Sequence, residues 1–284
     1  MRSPDKRPPH HRQRNDGRRQ RQHQSAPGKP AHARNPLARE NGFLIWGTHA
    51  VAAALANQRR EVRRLHLTEN AEGRLADSLS ARRVDIVRGT PRDLDRLAGP
   101  EAVHQGAVAE VEPLADTDPA SLIETASASG GPIVVLDQVT DPHNVGAILR
   151  SAAVLGAAGL IMTRRHSPPL CGALAKTASG ALEIVPIALV PNLAAALADL
   201  ADAGVYRVGL DGEGTHLIDD EPFTPPVALI LGAEGKGLRR LTRDLCDRIC
   251  RIGAAGSLAS LNVSNAAAVA LYAAKLSRRA VDAG

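Results

Sequence analysis

Residues 250–272 read Cys-Arg-Ile-Gly-Ala-Ala-Gly-Ser-Leu-Ala-Ser-Leu-Asn-Val-Ser-Asn-Ala-Ala-Ala-Val-Ala-Leu-Tyr. They join a short apolar run, a loop with Gly253 and Gly256, and a polar string, Ser260 to Ser264, directly before an alanine-rich helix that runs to about Leu276. Glycines let a backbone come close to a ligand where a side chain would forbid it. Ser and Asn at a helix start cap free N–H groups or turn the same donors toward a bound molecule. By residue type alone, a capped helix after a turn is the commoner reading.

Two earlier stretches change that balance. Residues 133–150, Ile-Val-Val-Leu-Asp-Gln-Val-Thr-Asp-Pro-His-Asn-Val-Gly-Ala-Ile-Leu-Arg, read as a buried strand, a polar loop and a helix opening near Asn144 that carries Arg150. Residues 227–238, Val-Ala-Leu-Ile-Leu-Gly-Ala-Glu-Gly-Lys-Gly-Leu, read as a second buried strand ending in a glycine-rich loop. Near-continuous apolar strands are expected at Ile133–Val139, Gly159–Thr163, Glu183–Ile187, Val205–Leu210, Val227–Gly232 and Arg248–Ile252, alternating with helices. That pattern suits a parallel sheet buried on both faces. No G-x-G-x-x-G follows the first strand, and residues 232–237 lack the Gly-Lys-Ser/Thr ending of a P-loop.

The first half reads as a smaller α/β unit. Gly47 and Thr48 open a helix; Arg64–Thr68, Val84–Val87 and Gly106–Val111 read as strands. Helices are expected from Glu72 to Arg82 and from Pro91 to about Leu97. His49 fits a helix-start residue better than a catalyst. The acidic, then Ala/Ser/Gly-rich stretch 113–131 marks a linker, with a short helix near Ala120–Ala126. The expected division is therefore a tail at 1–40, a small domain at 41–112, the linker, and a second domain at 132–284.

The net charge of +5 over 284 residues conceals an asymmetry. Residues 1–40 hold eleven Lys and Arg against Asp5, Asp16 and Glu40, a formal +8, while the remainder holds 24 basic against 27 acidic residues, −3. The tail is too poor in apolar side chains to offset the entropy of ordering, and a basic arm of this kind contacts phosphates non-specifically. Its four histidines lack metal-site spacing, and no metal site is expected. Cys171, Cys246 and Cys250 are too few for a disulfide framework and read as reduced thiols. No apolar run reaches the roughly 20 residues of a membrane span, and no signal segment follows Met1, so a soluble cytoplasmic protein is expected. With five aromatic residues (Phe43, Trp46, Tyr206, Phe223 and Tyr272), an aromatic platform for stacked bases is not expected.

In order, spacing and residues, the three stretches resemble the three signature motifs of the SpoU family of RNA ribose 2′-O-methyltransferases. Asn144 and Arg150 fit the first, Glu234 and Gly235 the second, and Ser260, Leu261 and Asn262 the third. The resemblance covers roughly residues 40 to 277. It implies a trefoil-knotted α/β methyltransferase domain of the SPOUT type at the C-terminus. It also implies a small L30e-like α/β substrate-binding domain before it, whose opening is similar to Trp46-Gly-Thr-His-Ala-Val. S-adenosylmethionine is the implied cofactor, held by main chain at Gly232, Ile252 and Leu261. Asn144, Arg150, Glu234, Ser260 and Asn262 would face the target ribose and phosphate.

The family assigns the motif arginine as proton acceptor. A free guanidinium has a pKa above about 12, so Arg150 could equally clamp a phosphate or stabilise an alkoxide. The chain departs from the family where Ile252-Gly-Ala replaces the usual Ile-Pro-Met, which loosens the cofactor loop. The layout looks most like the branch methylating a guanosine of 23S ribosomal RNA. A transfer-RNA ribose methyltransferase is the near rival, and a non-catalytic RNA-binding protein of the same fold the more distant one. The family also implies a homodimer through the knotted domain, with residues of both subunits near the active site.

Overall fold

A computed structural model describes residues 43–223, 226–253, 256 and 261–282, with side chains to residue 278. The basic tail and Ser260 lie outside the described residues. Two sheets carry the chain. In the first, β1 (Phe43–Trp46), β4 (Ala107–Val111), β2 (Val62–Leu67) and β3 (Asp85–Arg88) run in the order β1-β4-β2-β3, antiparallel except for the β2–β3 pair.

Helices α1 (Thr48–Ala56), α2 (Glu69–Arg74), α3 (Ala76–Ala81) and α4 (Pro91–Ala98) connect these strands. The single helix expected from Glu72 to Arg82 is two, broken at Leu75, whose ψ of 7° leaves the helical range. Pro91 opens α4 behind a capping box in which Thr90 and Asp93 satisfy each other's N–H groups. At the start of α1 no side chain of its own caps the helix. Gln105 supplies the acceptor instead, 3.4 Å from the Thr48 N–H.

The second sheet is fully parallel: β5 (Ile133–Asp137), β6 (Gly159–Thr163), β7 (Ile187–Val190), β8 (Tyr206–Leu210), β9 (His216–Leu217), β10 (Val227–Gly232) and β11 (Arg248–Arg251), in the order β7-β6-β5-β10-β8-β11-β9. The strand expected at Glu183–Ile187 is displaced. Ala181–Glu183 forms a 3-10 turn and the strand begins at Ile187, because Glu183 is committed to an ion pair across the molecule. Along β5, Ile133 and Val135 enter one buried cluster while Val134 and Leu136 enter the other, so both faces are covered as a parallel sheet requires. One face packs on α5 (Pro119–Ser129), longer than the short helix expected there, and α8 (Leu193–Asp202). The other packs on α6 (Pro142–Leu155), α7 (Gly172–Ala178) and α10 (Val263–Asp282). The short helix α9 (Arg240–Asp244) precedes β11.

The core on the α7 face continues without interruption into that of the first sheet. Trp46 lies over Gly172, where a Cβ would meet its ring at 2.7 Å. Ser179 and Gly180 take left-handed angles at the end of α7, and Gly180 packs beside Ala53. Arg60 and Glu183, both buried, close the seam. Arg60 Nη2 donates to Glu183 Oε1 at 2.7 Å, Nη1 to the Glu112 carbonyl at 2.7 Å, and Asn57 Nδ2 to Glu183 Oε2 at 2.9 Å.

Candidate active site

Strand order reverses between β5 and β10, since the chain runs outward from β5 to β7 on one side and occupies β10, β8 and β11 on the other. At such a switch point the loops leaving the C-terminal strand ends diverge and open a crevice. The loops after β5, β10 and β11 meet there.

The first loop starts α6 cleanly. Asp141 accepts from the His143 N–H at 2.9 Å, and Pro142 occupies the first helical position. This turns Asn144, two residues on, inward, where it is buried. The loop after β10 folds back on itself, with Gly237 N–H donating to the Ala233 carbonyl at 2.9 Å. Gly232 must be glycine here, since a Cβ would lie 2.1 Å from the Gly237 carbonyl. The fold-back projects Glu234 outward. In the third segment Asn262 precedes α10 and caps it, its Oδ1 accepting from the Ser264 N–H at 2.8 Å and hydroxyl at 2.6 Å.

The cap leaves the Asn262 amide nitrogen free to point elsewhere. It donates to Asn144 Oδ1 at 3.0 Å, and Asn144 Nδ2 in turn donates to Glu234 Oε2 at 3.3 Å. The three motifs are thus joined by one polarised line of hydrogen bonds, each amide orientation fixed by the next. It ends on an exposed carboxylate whose second oxygen has no partner among the described residues.

Arg150 does not join this line. At 3.6 residues per turn it lies about 240° round α6 from Asn144. It is exposed and has no hydrogen-bond or ion-pair partner among the described residues. Of the expected cofactor residues, Gly232 is buried at the end of β10, Ile252 packs partly against the core, and Leu261 is half exposed.

Three supporting residues, Asp137, Asp211 and His143, were not anticipated. Asp137, buried at the end of β5, accepts from the Arg239 backbone N–H at 3.1 Å and from its Nε at 2.6 Å, tying the loop after β10 to the neighbouring strand. Asp211, after β8, accepts from Arg243 Nη1 at 2.8 Å. A carboxylate closing an apolar strand was the available signal for Asp137. Beside α6, His143 Nδ1 stands 3.2 Å from Thr177 Oγ1, and burial pushes the neighbouring Lys176 ammonium below its usual range. Burial also raises the thiols, Cys246 and Cys250 to about 12 and Cys171 to about 11, which keeps them protonated and unreactive.

Residues 131–272 match the SpoU rRNA Methylase family, and residues 44–117 match the RNA 2′-O ribose methyltransferase substrate binding family. The chain belongs to the SpoU rRNA methylase family. It is 42% identical over 242 residues to the 23S rRNA (guanosine-2′-O-)-methyltransferase RlmB of Pseudomonas syringae pv. tomato, covering 83% of this chain and 96% of that protein. It is 41% identical over 245 residues to RlmB of Ralstonia nicotianae, covering 84% and 98%. Among solved structures, the SpoU methyltransferase AviRb of Streptomyces viridochromogenes in complex with AdoMet superposes with a TM-score of 0.72. That match has 30% identity and covers 87% of this chain and 94% of AviRb.

Proposed function

We propose that this SpoU protein methylates the 2′-hydroxyl of a guanosine ribose in 23S ribosomal RNA, using S-adenosylmethionine. The observation that carries the reading is the hydrogen-bonded run from Asn262 through Asn144 to the exposed Glu234 at the switch point. Relatives about 40% identical over most of their length bear that activity in their names.

The loops suit an adenosine held by main chain. A Cβ on Gly235 would meet nothing within 4 Å, and one on Gly253 only Leu217 Cδ2 at 3.6 Å, so backbone lies open beside the apolar Ile252 and Leu261. When bound, S-adenosylmethionine supplies an electrophilic methyl group. The chain's own residues position the acceptor. The second oxygen of Glu234 can take a hydrogen bond from a ribose hydroxyl, and Asn144 and Asn262 fix its first oxygen so that no reorganisation is needed on binding.

A homodimer accounts for Arg150. It shares its stripe of α6 with Val154, one turn on and 71% exposed. The adjoining α10 exposes Val269, Tyr272 and Leu276 at helical spacing. Covering this apolar face with a second copy would bring Arg150 to the partner's crevice, where a guanidinium can clamp a phosphate or stabilise a developing alkoxide. We further read 132–284 as a trefoil-knotted domain, 113–131 as the linker and 41–112 as the L30e-like RNA-binding domain, with residues 1–40 adding phosphate contacts. No described helix is long and apolar enough to cross a membrane, and an enzyme of ribosomal RNA would act in the cytoplasm. Incubation with methyl-labelled S-adenosylmethionine and either 23S ribosomal RNA or transfer RNA tests the reading. Label in ribosomal RNA is expected; label in transfer RNA alone overturns it.

A further inference from the structure

A cleft of about 690 Å³ lies away from the switch point, along the outer edge of β7, between the first sheet and the second. That volume is in the range of small-ligand sites. Its walls come from three segments: the connection at Pro113 and Leu114, the loop after β6 at Pro168 to Leu170, and β7 itself at Ile187 and Leu189. They are apolar and stiffened by prolines. Phe43, partly exposed, stands at the rim.

The polar groups in this cleft are unfinished in a way that points to a ligand. In the parallel ladder the Leu160 N–H donates to the Pro186 carbonyl and the Arg164 N–H to the Val190 carbonyl. Ile187 and Leu189 therefore turn their peptide groups to the free edge of the sheet. The Thr117 N–H takes the Ile187 carbonyl at 3.0 Å and Arg164 Nη2 takes the Leu189 carbonyl at 3.2 Å. The Leu189 N–H faces the cleft without an acceptor among the described residues. Arg59, exposed on the rim, has no partner for its guanidinium among the described residues. Arg164 is held by Asp116, and Arg60 behind them is consumed by Glu183. The cleft thus offers a slot for a flat apolar ring, a backbone donor at its edge and one uncommitted cation at its mouth.

We propose that this cleft binds a single unstacked nucleotide of the RNA, its base between the proline walls against the β7 edge and its phosphate on Arg59. The proposal rests on the RNA substrate read above and adds to it a second contact point that selects the RNA. Sequence-specific recognition of RNA characteristically takes up splayed-out bases in this manner, by ring contact and edge hydrogen bonds. The position fits. The loop carrying Arg164 leaves the C-terminal end of β6, the same end of the sheet as the crevice, and β7 stands two strand spacings, roughly 10 Å, from β5. A nucleotide held here would lie close along the strand to the target ribose.

The full-length protein serves for the test. Guanosine monophosphate is titrated into the wild type, Arg59→Glu and Ala115→Trp, the last placing a large ring in the cleft from an exposed lining position. Binding is followed by calorimetry for all three proteins, and for the wild type and Arg59→Glu also by the fluorescence of Trp46, the one tryptophan of the sequence. Each variant is expected to weaken the nucleotide by about tenfold or more, with guanosine lacking phosphate insensitive to Arg59→Glu. On a 23S fragment each should raise KM by about five- to tenfold with kcat within about twofold, and leave S-adenosylmethionine affinity unchanged. Equal nucleotide affinity in wild type and Ala115→Trp, or an unchanged KM in both variants, would overturn the proposal. So would saturable binding of a peptide carrying the residue 1–40 sequence where the nucleotide fails. Failure of the functional reading looks different: no methyl transfer to 23S RNA by the wild type while the nucleotide still binds the cleft.

Discussion

Two polar networks join distant parts of this chain, and they end differently. At the seam, Arg60 and Glu183 are both buried, and the donors and acceptors around them are answered from within by Asn57 and the Glu112 carbonyl. At the switch point, the line from Asn262 through Asn144 stops at Glu234, which faces solvent with one oxygen uncommitted. A closed network can only hold two surfaces together, because every group it contains already has its partner. An open one keeps a polar group in reserve, oriented by its neighbours at no further entropic cost when a ligand arrives. The difference assigns the first to architecture and the second to chemistry without reference to residue type.

The sharpest way to break the comparison is at its closed end. Arg60→Ala leaves Glu183 buried without its cation, which should cost about 3–5 kcal/mol of stability, measured by urea unfolding. A loss under about 1 kcal/mol would mean that water reaches Glu183 and that the seam is not closed.

At the open end the expected loss is in rate. Arg150→Ala should reduce single-turnover methyl transfer by about 10² or more while leaving the unfolding midpoint in place, since the side chain is exposed. Retention of a tenth of the activity would remove Arg150 from the site.

Asn262 sharpens the contrast because it serves both purposes. Asn262→Asp keeps the oxygen that caps α10 but loses the amide that reaches Asn144. Its stability should stay within about 0.5 kcal/mol of wild type while methyl transfer falls about tenfold or more. Asn262→Ala should also lose the cap, for about 1 kcal/mol more. Equal unfolding midpoints for the two variants would show that the cap contributes nothing.

The smallest effect concerns groups outside both networks. Folded-state thiols raised to about 12 at Cys246 and Cys250, against 9.0 when unfolded, favour the native state below about pH 9, and this contribution is lost as pH rises from 9 toward 12. Alkylation by iodoacetamide at pH 8 should therefore be slow until the protein unfolds. Rapid modification of the native protein would show that these thiols are not shielded.

Much of this molecule is legible along the chain. The apolar runs at Gly159–Thr163 and Val227–Gly232 coincide with β6 and β10 to the residue, because a strand buried on both faces leaves a short continuous apolar run, too brief for a core helix. Pro91 and the Asn before α10 mark helix starts, because capping is a transaction among neighbours, whereas α6 opens at Pro142, two residues ahead of the start expected near Asn144. The motif residues Asn144, Glu234 and Asn262 are picked out by the family resemblance, since by residue type alone the Ser/Asn string reads only as a helix cap.

The tertiary structure alone decided who meets whom. Asn262 reaches Asn144 across 118 positions and Arg60 reaches Glu183 across 123, and no local pattern encodes either distance. The same blindness displaced the strand expected at Glu183–Ile187. Its apolar content was visible, but the pull of Arg60 on Glu183 was not. Likewise the family resemblance grouped Arg150 with the other motif residues, whereas in the folded single chain it lies exposed on α6, apart from them. Residue type and spacing determine what a segment can become and which groups it can offer. Which of those groups are answered internally, and which remain available for a ligand, follows only from the packing of segments that are remote in the chain.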